Sequence, residues 1–149
     1  MKLPQAMRRS SKRWWTAAMA QAMETCANPG RGGYAEAMRA AATVLRCRER
    51  AGELFDCQPE QVVLTNSCTH GLNIAIRSLV KAGMTVLISG YEHNAVTRPL
   101  HSIDNLTIKI ASSTPFDTEG ILEQFRMHLS RGVDCVICCH VSNVFGFIL

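Results

Sequence analysis

The chain has 149 residues, 47% hydrophobic and 19% charged, enough for one globular domain with a real core. Its 16 basic and 12 acidic residues leave a net charge of +4, modest for this size and gathered at the head, where a nucleic-acid contact is the weaker reading and a solvated leader the stronger, and no apolar run is long enough to cross a bilayer. Seven cysteines, an odd number scattered over expected helices and strands, argue against a disulfide framework and fit a reducing, cytoplasmic setting.

The head is basic. Lys2, Arg8, Arg9, Lys12 and Arg13 precede the first acidic residue, Glu24. With no apolar stretch behind these charges a secretory signal is not expected, and residues 1–12 read as a solvated leader. Residues 13–25 have helical composition, with Trp14, Ala17, Ala18 and Ala22 on one face. The run Asn28-Pro-Gly-Arg-Gly-Gly33 cannot continue a helix. Residues 34–55 form the longest expected helix, with Met38, Ala42 and Leu45 at helical spacing. Residues 61–65 (Gln-Val-Val-Leu-Thr) are β-branched and apolar, the pattern of a buried strand.

The alternation continues to the end of the chain. Residues 69–80 return to helical spacing through Leu72, Ile76 and Leu79, closed near Gly83. Strands are expected at 85–89, at 106–110 near a sheet edge, and at 134–139. Helices are expected at 94–103, interrupted near Pro99, and at 118–129, capped by Asp117 or Thr118. Strands alternating with helices predict an α/β fold, a mostly parallel sheet with flanking helices and right-handed crossovers.

Polar motifs collect at the strand ends, where an open α/β sheet forms its ligand crevice. After residues 61–65 comes Asn66-Ser67-Cys68, then a helix beginning at Thr69. Free N–H groups and a hydroxyl at a helix start favour an anion, and a plain cap by Ser67 or Thr69 is the simpler reading of that turn alone. After residues 85–89 comes Glu92-His93-Asn94; an imidazole there can stack on a flat ring and shuttle protons near neutral pH. After residues 134–139 comes His140-Val-Ser-Asn143, whose amide can bond a phenolic oxygen. Cys135, Cys138, Cys139 and His140 imitate a metal-ligand pattern, but residues three apart in a strand point to opposite faces, and no metal site is expected.

Taken in order, these motifs resemble the class V aminotransferase and cysteine desulfurase family, which are fold type I pyridoxal-phosphate enzymes. The match runs from about Ser10 to Leu149. The resemblance implies that Cys68 and Thr69 hold the cofactor phosphate with His70 beside them. It also implies that His93 lies against the pyridine ring as the catalytic residue, and that Asn143 meets the ring hydroxyl. The segment 28–33, similar to an early family segment, is expected to line the mouth of the site.

The departures define the rest of the expectation. Met1–Arg9 matches the family's opening segment poorly. The Asp-x-x-Gln strand, the cofactor lysine and the sulfur-accepting cysteine of the family have no counterparts here. Lys2, Lys12, Lys81 and Lys109 all lack the desolvated setting that such an amine needs. Residues 13–149 therefore read as the N-terminal part of an incomplete transferase large domain, inactive alone. Within the family, the adjacent strands are implied to be those at 85–89, 106–110 and 134–139, leaving apolar edges open and the isolated polypeptide marginal or sticky. The whole enzyme is expected to be a homodimer that takes sulfur from L-cysteine, giving alanine and an enzyme persulfide. The alternative is a stand-alone, non-catalytic Rossmann-like module that binds a phosphorylated ligand.

Overall fold

The computed structural model describes residues 5–142, 144–146 and 148–149, with the side chains of the first helix described from Trp14 on. The chain divides into two compact units, residues 1–64 and 65–149.

The first unit is helical. Helix α1 spans Gln5–Thr25 and α2 spans Ala35–Phe55. Expected and observed starts of α2 agree within a residue, because Asn28–Gly33 excludes helix up to Tyr34. The apolar stripe of α1 is present in sequence but covered by nothing among the described residues: Trp14 is 78% exposed, and Ala17, Ala18 and Ala22 are exposed with it. Helix α2 ends where Asp56 turns left-handed (φ 52°) and its N–H, with that of Cys57, bonds the Gly52 carbonyl. Glycine is required at position 52, since a Cβ there would sit 2.5 Å from the Cys57 carbonyl oxygen. A 3-10 turn, Pro59–Gln61, follows, closed by reciprocal bonds between Gln58 and Gln61.

Residues 61–65 do not form the buried strand that their composition predicts. Val63 and Leu64 are 74% and 49% exposed, and no ladder includes them among the described residues. β-propensity describes fitness for a pleated, half-buried surface, and among the described residues this segment has no neighbouring strand to pair with.

The second unit carries the sheet. Its elements are α3 (Cys68–Leu79), β1 (Thr85–Ser89), α4 (Asn94–His101), β2 (Thr107–Ala111), α5 (Thr118–Ser130) and β3 (Cys135–Ile137). The strands pair in the order β2-β1-β3, all parallel, with Thr85 opposite Thr107 and Val86 opposite Cys135. The expected neighbours are thus adjacent, and β2, with Thr107 and Lys109 exposed, lies at an edge. The third strand is shorter than the expected 134–139, since its pairing to β1 stops at Ile137.

Alternation along β1 builds a core on each face. Val86 and Ile88 join Ile76, Val80, Val96 and Leu100 beneath α3 and α4. Leu87 joins Ala111 and Ile121 beneath α5. Because both faces are covered, β1 reads as a continuous apolar run in the sequence. Two carboxylates close the β1–β3 pair. At its start, Asp134 accepts from the Thr85 N–H (2.7 Å) and donates its own N–H to the Thr85 carbonyl (2.8 Å). At its end, Glu92 accepts from Ser89, the last residue of β1, and from the Cys139 N–H, two residues past β3.

Candidate functional site

The site lies within the second unit, at the carboxyl ends of β1 and β3. Ser67, in extended conformation, caps α3 by accepting from the His70 N–H (3.1 Å), so the cap is Ser67 and not Thr69. Thr69 then falls inside the first turn with its hydroxyl uncommitted. Among the described residues, the N–H groups of Cys68 and Thr69 make no hydrogen bond within the chain. Two free donors, a hydroxyl and the positive end of a 12-residue helix therefore coincide.

His93 is the cap of α4. Its Nδ1 accepts from the Ala95 N–H at 3.1 Å. That bond needs Nδ1 unprotonated, which assigns the ring proton to Nε2 in the neutral tautomer. The imidazole is exposed. It lines, together with Cys68 and Thr69, a pocket of about 320 Å³ whose other walls are Leu72, Glu92, Ala95, Val96, Ile137, Cys138 and Cys139. The helix-start motif after residues 61–65 and the strand-end motif after β1 thus meet in one space.

His70 does not line this pocket; its backbone is spent on the cap, and its side chain is exposed. Asn143 lies outside the described residues. Around it, Ser142 is buried and its carbonyl accepts from the Gly146 N–H (2.8 Å), and Gly146 turns the chain with φ 64°, a conformation that suits glycine. The ring of Phe145 meets Tyr91 edge-on with centroids 5.6 Å apart.

Three pocket residues carry more than sequence reasoning gave them. Glu92 Oε1 accepts from the buried Ser89 hydroxyl (2.5 Å) and from the Cys139 N–H (2.7 Å). One carboxylate thereby ties the end of β1 to the end of β3 and fixes the loop that presents His93. Cys138 and Cys139 form the wall just past β3. Burial pushes the Cys138 thiol above its ordinary range, and the charges of Glu92 and Cys139 push the same way. Their position directly after an apolar strand is the sequence signal that marks them. Among the described residues no group of three or more His, Cys, Asp or Glu side chains is placed to hold a metal ion.

Sequence comparison and fold comparison agree. The sequence model of the family described as Aminotransferase class-V matches residues 10–149. Cysteine desulfurase IscS of Vibrio atlanticus is 25% identical over 127 residues, covering 81% of this chain and 31% of that protein. The same-named protein of Photobacterium profundum is 24% identical over 127 residues, covering 81% and 31%. Among solved structures, the apo cysteine desulfurase from Thermococcus onnurineus NA1 superposes with a TM-score of 0.62 at 19% identity, over 80% of this chain and 31% of that chain. At that identity the likeness is one of fold. The chain spans about a third of the length of the curated relatives it matches, 31% in both cases.

Proposed function

Because the chain belongs to the class V aminotransferase family, we propose that it is the N-terminal portion of a pyridoxal-phosphate-dependent, cysteine desulfurase-like enzyme. On this reading residues 1–12 are a basic leader and residues 13–149 supply part of the large domain. The observation that carries the proposal is the meeting of α3's first turn with His93 in one pocket at the strand ends.

The pocket's chemistry fits the cofactor. The N–H groups of Cys68 and Thr69, with the Thr69 hydroxyl, supply donors for a phosphate at a helix start. Leu72, Ala95, Val96 and Ile137 offer an apolar bed for a heteroaromatic ring. His93 is placed to lie against that ring, with Nε2 as the atom that holds or moves a proton. His70 takes no part in the pocket on this reading, while Asn143 is assigned to the ring hydroxyl. Glu92 positions rather than reacts, its Oε1 already engaged by Ser89 and Cys139. Bound pyridoxal phosphate supplies an electron sink for charge developed at the α-carbon of an amino acid.

The substrate proposed for the whole enzyme is L-cysteine, its product alanine with sulfur on an enzyme thiol, its assembly a homodimer and its compartment the cytoplasm. The chain alone is inactive on this proposal. Lys81 follows the far end of α3, Lys109 lies on the edge strand, and neither lines the pocket. The alternative, a non-catalytic Rossmann-like module, has no observation in its favour. An absorbance titration with pyridoxal phosphate tests the proposal. Saturable binding is expected, weakened about tenfold or more by Thr69→Ala and weakened by His93→Ala. A borohydride-stable adduct at one defined lysine overturns the inactivity; no binding at all overturns the cofactor assignment.

A further inference from the structure

Helices α3 and α4 pack side by side and turn matching polar stripes to one groove. The first contributes Thr69, Asn73 and Arg77, the second Asn94, Arg98 and the capping Ser102. Within each set the residues stand four apart, which is one helical face. The groove encloses about 380 Å³, and no acidic residue lines it. Among the described residues the ion pairs are Arg39–Glu36, Arg50–Glu53 and Arg126–Glu123, so Arg77 and Arg98 have none.

A single arginine in a last turn needs only the helix dipole to explain it. Two guanidinium groups lining one groove with no carboxylate leave its positive charge unbalanced, and a bound anion would neutralise it. The neighbouring polar groups are partly spent: Asn73 donates to the Thr69 carbonyl (2.9 Å) and Ser102 to the Pro99 carbonyl (2.8 Å). The strong uncommitted donors are the two arginines, each able to grip two oxygens of a phosphate. We propose that this groove binds a small diphosphate-class oxyanion through Arg77 and Arg98. The inference does not rest on the cofactor reading, although Thr69 and His93 border both spaces.

Isothermal titration of the chain with inorganic pyrophosphate, and separately with ADP, tests it and separates a free diphosphate from one within a nucleotide. Binding that weakens with added salt is expected. Arg77→Gln and Arg98→Gln should each cost about tenfold in affinity, the lysine replacements less. Both sets should leave the pyridoxal phosphate titration unchanged. Cys68→Phe, which fills the pocket at the strand ends but does not line the groove, should leave pyrophosphate binding intact. Pyrophosphate and ADP heats that survive both glutamine variants, or that vanish with Cys68→Phe, overturn the proposal. So does binding of an acidic peptide where neither diphosphate binds. Failure of the cofactor reading would register separately, in the absorbance titration.

Discussion

Removing the Glu92 carboxylate should loosen the site at the ends of β1 and β3. Its Oε1 takes two hydrogen bonds, from Ser89 at 2.5 Å and from the Cys139 N–H at 2.7 Å. Ser89 is 1% exposed and Cys139 is half-buried, so water replaces the lost acceptor poorly at the first and partly at the second. Hydrogen bonds to a charged group contribute about 1.5–3 kcal/mol each, and the half-burial of Cys139 discounts the upper end. Glu92→Ala should therefore destabilise the second unit by about 3–5 kcal/mol, a large share of a typical domain's stability. Glu92→Gln keeps an acceptor of the same shape and loses the charge, so about 1–2 kcal/mol is expected. Urea unfolding followed by circular dichroism gives the totals, and amide exchange at Cys139 localises them. If both variants unfold within about 0.5 kcal/mol of the parent, or if Cys139 exchange is unchanged, the carboxylate is not the tie described.

Further outcomes follow from single contacts. Ser67→Ala removes the cap of α3 and should cost about 1 kcal/mol, together with weaker pyridoxal phosphate binding because the first turn frays; an unchanged urea midpoint refutes the first part. Gly52→Ala gains helix propensity but forces its Cβ against the Cys57 carbonyl, so a net loss of about 1–3 kcal/mol is expected in thermal unfolding of the first unit. Cys138, raised first by burial and then by Glu92 and Cys139, should alkylate with iodoacetamide only above the usual thiol range. Glu92→Gln should lower that threshold without restoring an ordinary thiol, since burial is the larger cause. A thiol that holds its proton longer folded than unfolded contributes stability below the unfolded value. That contribution is lost as pH rises through the folded value, so stability should fall across the alkaline range.

Most elements of the second unit were legible because their signals are local. Val86, Leu87 and Ile88 form a continuous apolar run, Asp117 precedes an amphipathic stretch, and each of these declares its element without distant residues. The site was legible in part for a related reason: His93 stands just past β1, where a parallel sheet gathers its strand ends, whereas Cys68 and Thr69 follow a segment that forms no strand among the described residues and are marked only by the capping pattern of a helix start. What a local signal cannot carry is a partner. Val62, Val63 and Leu64 have strand composition, yet among the described residues no strand neighbours them, and Val63 and Leu64 remain exposed. Trp14 and its stripe have helical spacing without anything among the described residues to cover them.

The sequence by itself determined which residue types stand at each strand end and helix start, because capping, alternation and φ-restricted turns act over a few neighbouring positions. Only the tertiary structure decided which strand ends meet, that Glu92 fastens two of them, that the Cys138 thiol sits in the same pocket wall, and that Arg77 and Arg98 line one groove. Those facts depend on segments tens of residues apart, and distance in space is set by packing, not by order along the chain.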